Sequence, residues 1–190
     1  DPIPEMAEIA SEEGTYFHVD AAFGGFVLPF LEDAGYQSAP FDFSVPGVHS
    51  ITIDPHKMGR APIPSGCILF RNAEIAELSR TKVGYLAGGE TTHQTIVGTR
   101  SGGAAAAVWA SLRRYGRDGY VKTVRRSMET TSYLADLIRK SEELELMTEP
   151  FINVVGFRPT GNSDTDRVER AARELRERGF ALSLFPGFLR

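Results

Sequence analysis

One cysteine in 190 residues, Cys67, excludes an internal disulfide framework. Its surroundings, Ser65-Gly66-Cys67-Ile68-Leu69-Phe70, read as a buried strand, so the thiol is expected to pack inertly rather than react. Basic charge is also short. Lys and Arg number 21 against 25 Asp and Glu, leaving a net charge of -4 that provides no field to draw nucleic acid. No apolar run approaches the roughly 20 residues of a membrane span. No basic-then-apolar leader opens the chain, and the expected compartment is the cytoplasm. What is present, 42% hydrophobic and 24% charged residues, is ordinary for a globular chain of one domain or one and a half.

Helices and strands alternate along the chain, which implies an α/β fold. Glu5 to Glu13 has a short helical pattern ended by Gly14, and Phe17 to Asp20 reads as a strand. A short helix over Phe26 to Ala34 leads into a connection broken by Pro40, Pro46 and Gly47. The strand at Ile51 follows, with Cys67 to Arg71 as an antiparallel partner because the connection is too short for a crossover. Thr91 to Thr95 reads as a polar loop. Two helices are expected over Ala104 to Tyr115 and Asp118 to Ser141, the second with an apolar face of Val121, Val124, Met128, Leu134, Leu137 and Ile138. Strands over Leu144 to Met147, Phe151 to Phe157 and Phe180 to Phe185, with a helix over Asp164 to Arg178, suggest a smaller α/β domain beginning near Tyr120.

Two stretches carry chemistry. In Ile51-Thr52-Ile53-Asp54-Pro55-His56-Lys57-Met58-Gly59, Pro55 ends a buried strand and delivers His56 and Lys57 just beyond it. Ligand crevices of open α/β sheets lie outside the carboxyl ends of their strands, where a desolvated lysine amine can attack a carbonyl. In Phe17-His18-Val19-Asp20-Ala21-Ala22-Phe23-Gly24-Gly25, Asp20 ends a second strand and is followed by small residues that leave room for a flat ligand. The 37 positions from Asp20 to Lys57 are enough for a crossover between parallel strands, so both groups are expected at one sheet edge. A carboxylate facing a lysine suits pyridoxal 5′-phosphate, with the aspartate on the ring nitrogen and the lysine on the aldehyde.

His-Val-Asp-Ala-Ala-Phe-Gly-Gly followed by Asp-Pro-His-Lys-Met-Gly resembles the group II pyridoxal-phosphate-dependent amino acid decarboxylases, and within them the archaeal L-tyrosine/L-aspartate decarboxylase family. Gly88-Gly89-Glu90, Thr95 to Gly102 and Phe185 to Arg190 extend the resemblance in order over essentially the whole chain. It implies the C-terminal part of a fold type I, aspartate-aminotransferase-like large domain over residues 1–119, and most of a small α/β domain over 120–190. By the same resemblance the chain is an internal fragment lacking a large amino-terminal portion. The implied enzyme is a homodimer with its active site at the subunit interface. It converts L-tyrosine to tyramine for methanofuran synthesis, or L-aspartate to β-alanine for coenzyme A.

The resemblance also implies roles. Lys57 holds the cofactor aldehyde, Asp20 its ring nitrogen, and Ala22 packs on one ring face. His56 contacts the phosphate or moves a proton, Thr99 and Arg100 reach the phosphate or substrate of the neighbouring subunit, and Arg190 binds the substrate carboxylate. His18 shares a strand face with Asp20 and either reaches the cofactor or bonds within the sheet. Plain alternatives are a solvated lysine, histidine and arginine, and a helix-capping aspartate.

Three rival readings remain at this level. Another pyridoxal-phosphate enzyme, such as a cysteine desulfurase, a phosphoserine-tRNA-dependent cysteine synthase or a sphingosine-phosphate-type lyase, shares the Asp and Lys arrangement. A metal hydrolase would use His18, Asp20, Asp54 and His56, but Lys57 beside the cation disfavours it, so no metal is expected. The third is an inactive fragment serving only in dimerisation.

Overall fold

The computed structural model describes residues 1–86, 88–95, 97–161 and 165–185. These divide into two compact units, Asp1–Val124 and Arg125–Arg190.

The first unit is built on a three-stranded sheet in the order β1-β2-β3, with β1 at Phe17–Asp20, β2 at Val48–Ile53 and β3 at Cys67–Phe70. β1 and β2 are parallel, with Val19 opposite Ile51 and Asp20 opposite Thr52. β3 returns antiparallel along β2, as its short connection requires. Val19 and Ile51 point to a core completed by Ala7, Ala21, Phe41, Val45 and Val48. Ala7 lies on α1, Ile3–Glu12. Period-two alternation puts His18, Asp20, Ser50 and Thr52 on the opposite, polar face.

Between β1 and β2 the chain makes two 3-10 turns, Gly24–Phe26 and Leu28–Phe30, and then α2, Leu31–Ala34. Pro29 and the aromatic and glycine content keep this stretch from becoming the longer helix expected from Phe26. Arg71 holds the end of the connection through hydrogen bonds from Nε to the Val48 carbonyl and from Nη2 to the Val45 carbonyl, both at 2.6 Å. After α3, Ala73–Glu77, the stretch expected to be a polar loop is instead a hairpin. Its strands β4, Thr81–Leu86, and β5, Gly89–His93, pair antiparallel with Lys82 opposite Thr92. The β-branched threonines, read as loop because they are polar, have the side-chain shape that strands favour.

α4 runs over Gly103–Arg139, interrupted at Gly116, whose φ of 56° and ψ of -175° break the helix between the two segments expected from sequence. Ser101 Oγ accepts the Gly103 N–H at its start. Its buried residues are Tyr120, Val124, Met128, Thr131, Ala135 and Ile138. The expected face is therefore corrected. Leu134 and Leu137 are 41% and 47% exposed, because steps of three and four from Met128 pass through Thr131 and Ala135 instead.

The second unit contains the later part of α4, the hairpin of β6, Leu144–Leu146, with β7, Phe157–Pro159, and α5, Thr165–Glu177. Arg158 Nε donates to Glu145 Oε1 at 2.6 Å between directly paired positions. The strand expected over Phe151 to Phe157 begins only at Phe157. The Val154 N–H bonds the Ile152 carbonyl at 2.7 Å, so the chain turns on itself there. Phe180 to Phe185 is not a strand either. The Phe180 N–H returns to the Leu175 carbonyl to close α5 past Gly179, and residues 181–185 run on without strand structure.

Gly47 tests the junction between α1 and β2. Its φ is 85°, and a Cβ there would lie 2.5 Å from Ser11 Oγ and 2.9 Å from the Ala7 carbonyl oxygen. Gly47→Ala is expected to destabilise the fold by about 2 kcal/mol or more, read as a lowered urea midpoint with unchanged slope.

Candidate active site

Parallel pairing brings the ends of β1 and β2 out on one edge. Beyond the last register pair the Asp54 N–H donates to the Ala22 carbonyl at 3.3 Å, stitching the two strand-end loops together. Asp20 then turns back locally. Its Oδ1 accepts the Ala22 N–H at 3.0 Å, an Asx turn. Ala21 is buried and Ala22 half-buried, so the chain next to the carboxylate carries only small side chains.

Lys57 sits on a tight turn. Its N–H bonds the Asp54 carbonyl at 3.0 Å, and its Nζ lies 2.8 Å from Asp54 Oδ2, with the lysine side chain 42% exposed and the aspartate 14%. His56 Nδ1 accepts the Ser65 N–H at 3.1 Å, so its ring hydrogen is on Nε2, 3.8 Å from Asp54 Oδ2. Ser65 Oγ is buried beside it without a hydrogen-bond partner among the described residues. The turn closes tightly at Gly59, where a Cβ would lie 2.7 Å from the Pro55 carbonyl oxygen. α4 anchors it. The buried Tyr120 hydroxyl donates to the Gly59 carbonyl at 2.9 Å, and Ser111 Oγ to the Arg60 carbonyl at 3.3 Å. Arg60 caps the ring of Tyr115, while Tyr120 packs on Phe26, Phe30 and Tyr115.

The structure thus brings Asp20, Ala22, His56 and Lys57 to one sheet edge. His18 is on the same face with both ring nitrogens engaged, Nδ1 with Ser50 Oγ at 2.7 Å and Nε2 with Thr52 Oγ1 at 2.9 Å. Thr99 and Arg100 are exposed. Arg100 Nη1 bonds Thr95 Oγ1 at 2.5 Å, and no hydrogen bond or ion pair joins either residue to Asp20 or Lys57 among the described residues. Arg190 lies outside the described residues. Sequence reasoning passed over Asp54 as the partner of Lys57, although the i, i+3 spacing across a turn was a usable signal. Nothing in the sequence pointed to Tyr120, 61 positions from Gly59.

Cys67 is a correction. It is exposed rather than buried, because β3 forms one edge of the sheet. Partial burial, with the negative charge of Asp54 behind it, pushes its thiol up from the ordinary cysteine range.

A carboxylate and an amine at one sheet edge, with small residues next to the carboxylate and a buried serine hydroxyl left unsatisfied beside His56, form a donor set that fits pyridoxal phosphate. The family profile described as the pyridoxal-dependent decarboxylase conserved domain matches residues 1–160. The chain belongs to this family. It is 43% identical over 190 residues to the L-aspartate/L-glutamate decarboxylase of Pyrococcus horikoshii, covering 100% of this chain and 48% of that protein. To the probable L-tyrosine/L-aspartate decarboxylase of Methanothermobacter thermautotrophicus it is 44% identical over 184 residues, covering 97% of this chain and 49% of that protein. Among solved structures, the sphingosine-1-phosphate lyase of Burkholderia pseudomallei superimposes with a TM-score of 0.85 at 33% identity, covering 98% of this chain and 42% of that one. The chain spans about half the length of the curated relatives it matches. Its fold is that of the fold type I pyridoxal-phosphate enzymes, as the sequence resemblance implied.

Two outcomes follow for this region. Tyr120→Phe is expected to cost about 1 kcal/mol of unfolding free energy and Tyr120→Ala about 3 kcal/mol or more, measured by urea unfolding. Because a raised pKa lowers the thiolate fraction, iodoacetamide at about pH 8 should alkylate Cys67 several-fold more slowly than free cysteine, measured by mass spectrometry.

Proposed function

We propose that this chain carries the cofactor-holding half of a pyridoxal-phosphate-dependent carboxy-lyase that converts L-tyrosine to tyramine or L-aspartate to β-alanine. The observation that carries the reading is the arrival of Asp20 and Lys57 at one sheet edge beside the small residues Ala21 and Ala22, in a chain of this family. Bound pyridoxal phosphate would supply a protonated ring that accepts the electron pair left behind when carbon dioxide departs.

The chain's residues have the remaining work. Lys57 would hold the cofactor aldehyde, and the Asp54 carboxylate, 2.8 Å from Nζ, would hold that amine as its ammonium when it is free. Asp20 holds the proton on the ring nitrogen, since a carboxylate beside a pyridinium favours the charged form. Ala22 packs against one ring face. His56, its Nε2–H fixed by the Ser65 hydrogen bond, offers a donor to phosphate or substrate. Thr99 serves the phosphate, and Arg100 and Arg190 serve the substrate carboxylate, whose bidentate capture would set the breaking bond perpendicular to the ring.

The same reading divides the chain into a large domain over residues 1–119 and a small domain over 120–190. A division between compact units inside α4 supports it. It also gives a cytoplasmic homodimer with the active site at the subunit interface. The exposed Trp109 and Leu112 on α4, at 66% and 44%, are apolar surface of the kind such an interface covers. Among the described residues no helix is long and apolar enough to cross a membrane. Identity of 43% and 44% to decarboxylases against 33% to the sphingosine-1-phosphate lyase favours decarboxylation over the lyase reaction.

The test is borohydride reduction of the purified enzyme with pyridoxal phosphate, then peptide mapping and carbon dioxide release from L-tyrosine and L-aspartate. The cofactor should be fixed on Lys57, and Lys57→Ala should lose the label and roughly a thousandfold or more of the activity. A label on another lysine, or no release from any amino acid, would overturn the reading.

A further inference from the structure

The two parallel strands do not keep one phase. Along β1 the alternation is regular, with Phe17 and Val19 toward the core and His18 and Asp20 away from it. Along β2 the core positions Val48 and Ile51 are three apart, an odd step that strict period two forbids. The register absorbs it. Phe17 pairs with Val48 but His18 with Ser50, so one residue of β2, His49, stands opposite no residue of β1.

This bulge is held by side chains. The Phe17 N–H, at the point where the register shifts, donates to His49 Nδ1 at 3.0 Å across 32 positions of sequence. A backbone N–H can only donate, so Nδ1 is the accepting nitrogen and the ring hydrogen is on Nε2. The Tyr16 ring stacks on the imidazole with centroids 4.9 Å apart. Arg71 takes both carbonyls of the bulge, donating from Nε to Val48 at 2.6 Å and from its backbone N–H to His49 at 2.9 Å. A ladder donor displaced by a bulge is costly to leave bare, and the imidazole supplies the acceptor that the partner strand no longer offers.

The bulge bears on the site because of where β2 leads. β2 ends at Ile53, directly before the turn from Asp54 to Lys57, and β1 ends at Asp20. Without the extra residue the end of β2 would move by one position along β1, about 3.3 Å, and Ile51 and Thr52 would exchange faces. We propose that His49, clamped by Arg71, is a positioning residue for the cofactor: by holding the bulge it sets how far the Lys57 amine stands from the Asp20 carboxylate. This inference rests on Lys57 and Asp20 being the residues that hold the cofactor.

The test uses the holoenzyme. His49→Leu removes the acceptor at similar size, whereas the amide oxygen of His49→Asn takes the place of Nδ1. His49→Leu should raise the dissociation constant for pyridoxal phosphate about tenfold and shift the visible absorption band, with His49→Asn within about threefold of the wild type. Val124→Ala, a buried truncation on α4, controls for lost stability: it should lower the urea midpoint and leave the affinity of the folded enzyme unchanged. Wild-type affinity in folded His49→Leu, no recovery with His49→Asn, or a nitrogen-15 spectrum with the His49 hydrogen on Nδ1 would each overturn the proposal. Should His49→Leu fail to fold, Arg71→Lys decides. Losing the guanidinium fork should raise the same constant about fivefold, and an unchanged constant overturns the proposal. If the wild type carries no borohydride-fixed cofactor on Lys57, the underlying function falls instead.

Discussion

The parallel pairing of β1 with β2 is the constraint on which this unit depends. Its register sets Asp20 beside Thr52, and the bond from the Asp54 N–H to the Ala22 carbonyl continues the contact past the strand ends. A slip of one residue would exchange the two faces, turning Asp20 into the core and Val19 outward. The apolar pair Val19 and Ile51 on one side and the hydrogen-bonded hydroxyls on the other thus oppose any other register.

The surroundings of Lys57 show how a turn gains definition from outside itself. Pro55 ends the strand, and the Asp54–Lys57 pair is local. Neither holds the turn against the body of the unit. That is supplied by Tyr120, whose buried hydroxyl satisfies the Gly59 carbonyl while its ring packs among Phe26, Phe30 and Tyr115. The break at Gly116 lies between Ser111 and Tyr120, the two residues of α4 that bond this turn. A straight helix would carry them along a different line.

Family and geometry agree from independent directions. The relatives are decarboxylases by name and match the whole length of the chain. The structure brings Asp20, Lys57 and the small residues Ala21 and Ala22 to one sheet edge. Crevices elsewhere in the unit, such as the apolar one lined by Pro29, Phe41, Phe43, Ile51 and Ile53, open on the core side and include neither Asp20 nor Lys57. The chemistry is assigned to the polar edge because titratable groups converge there.

What the sequence by itself determined was local or periodic. Strand ends at Asp20 and before Pro55, the antiparallel return of β3, the glycine stop of α5 and the break at Gly116 all follow from neighbours within a few positions, as does the placing of Asp20 and Lys57 at one edge through crossover length. Polarity misled where it outweighed shape, at the threonines of β5, and apolarity misled in the stretches that begin at Phe151 and Phe180, where backbone bonds from Val154 and Phe180 turn the chain locally or close a helix. Only the tertiary structure decided that Cys67 lies on an exposed strand, that Thr131 and Ala135 rather than Leu134 and Leu137 face inward on α4, and that Tyr120 braces the turn that carries Lys57. These outcomes depend on contacts between residues far apart in the chain, whose partners are defined only once the strands have paired and the helix has packed.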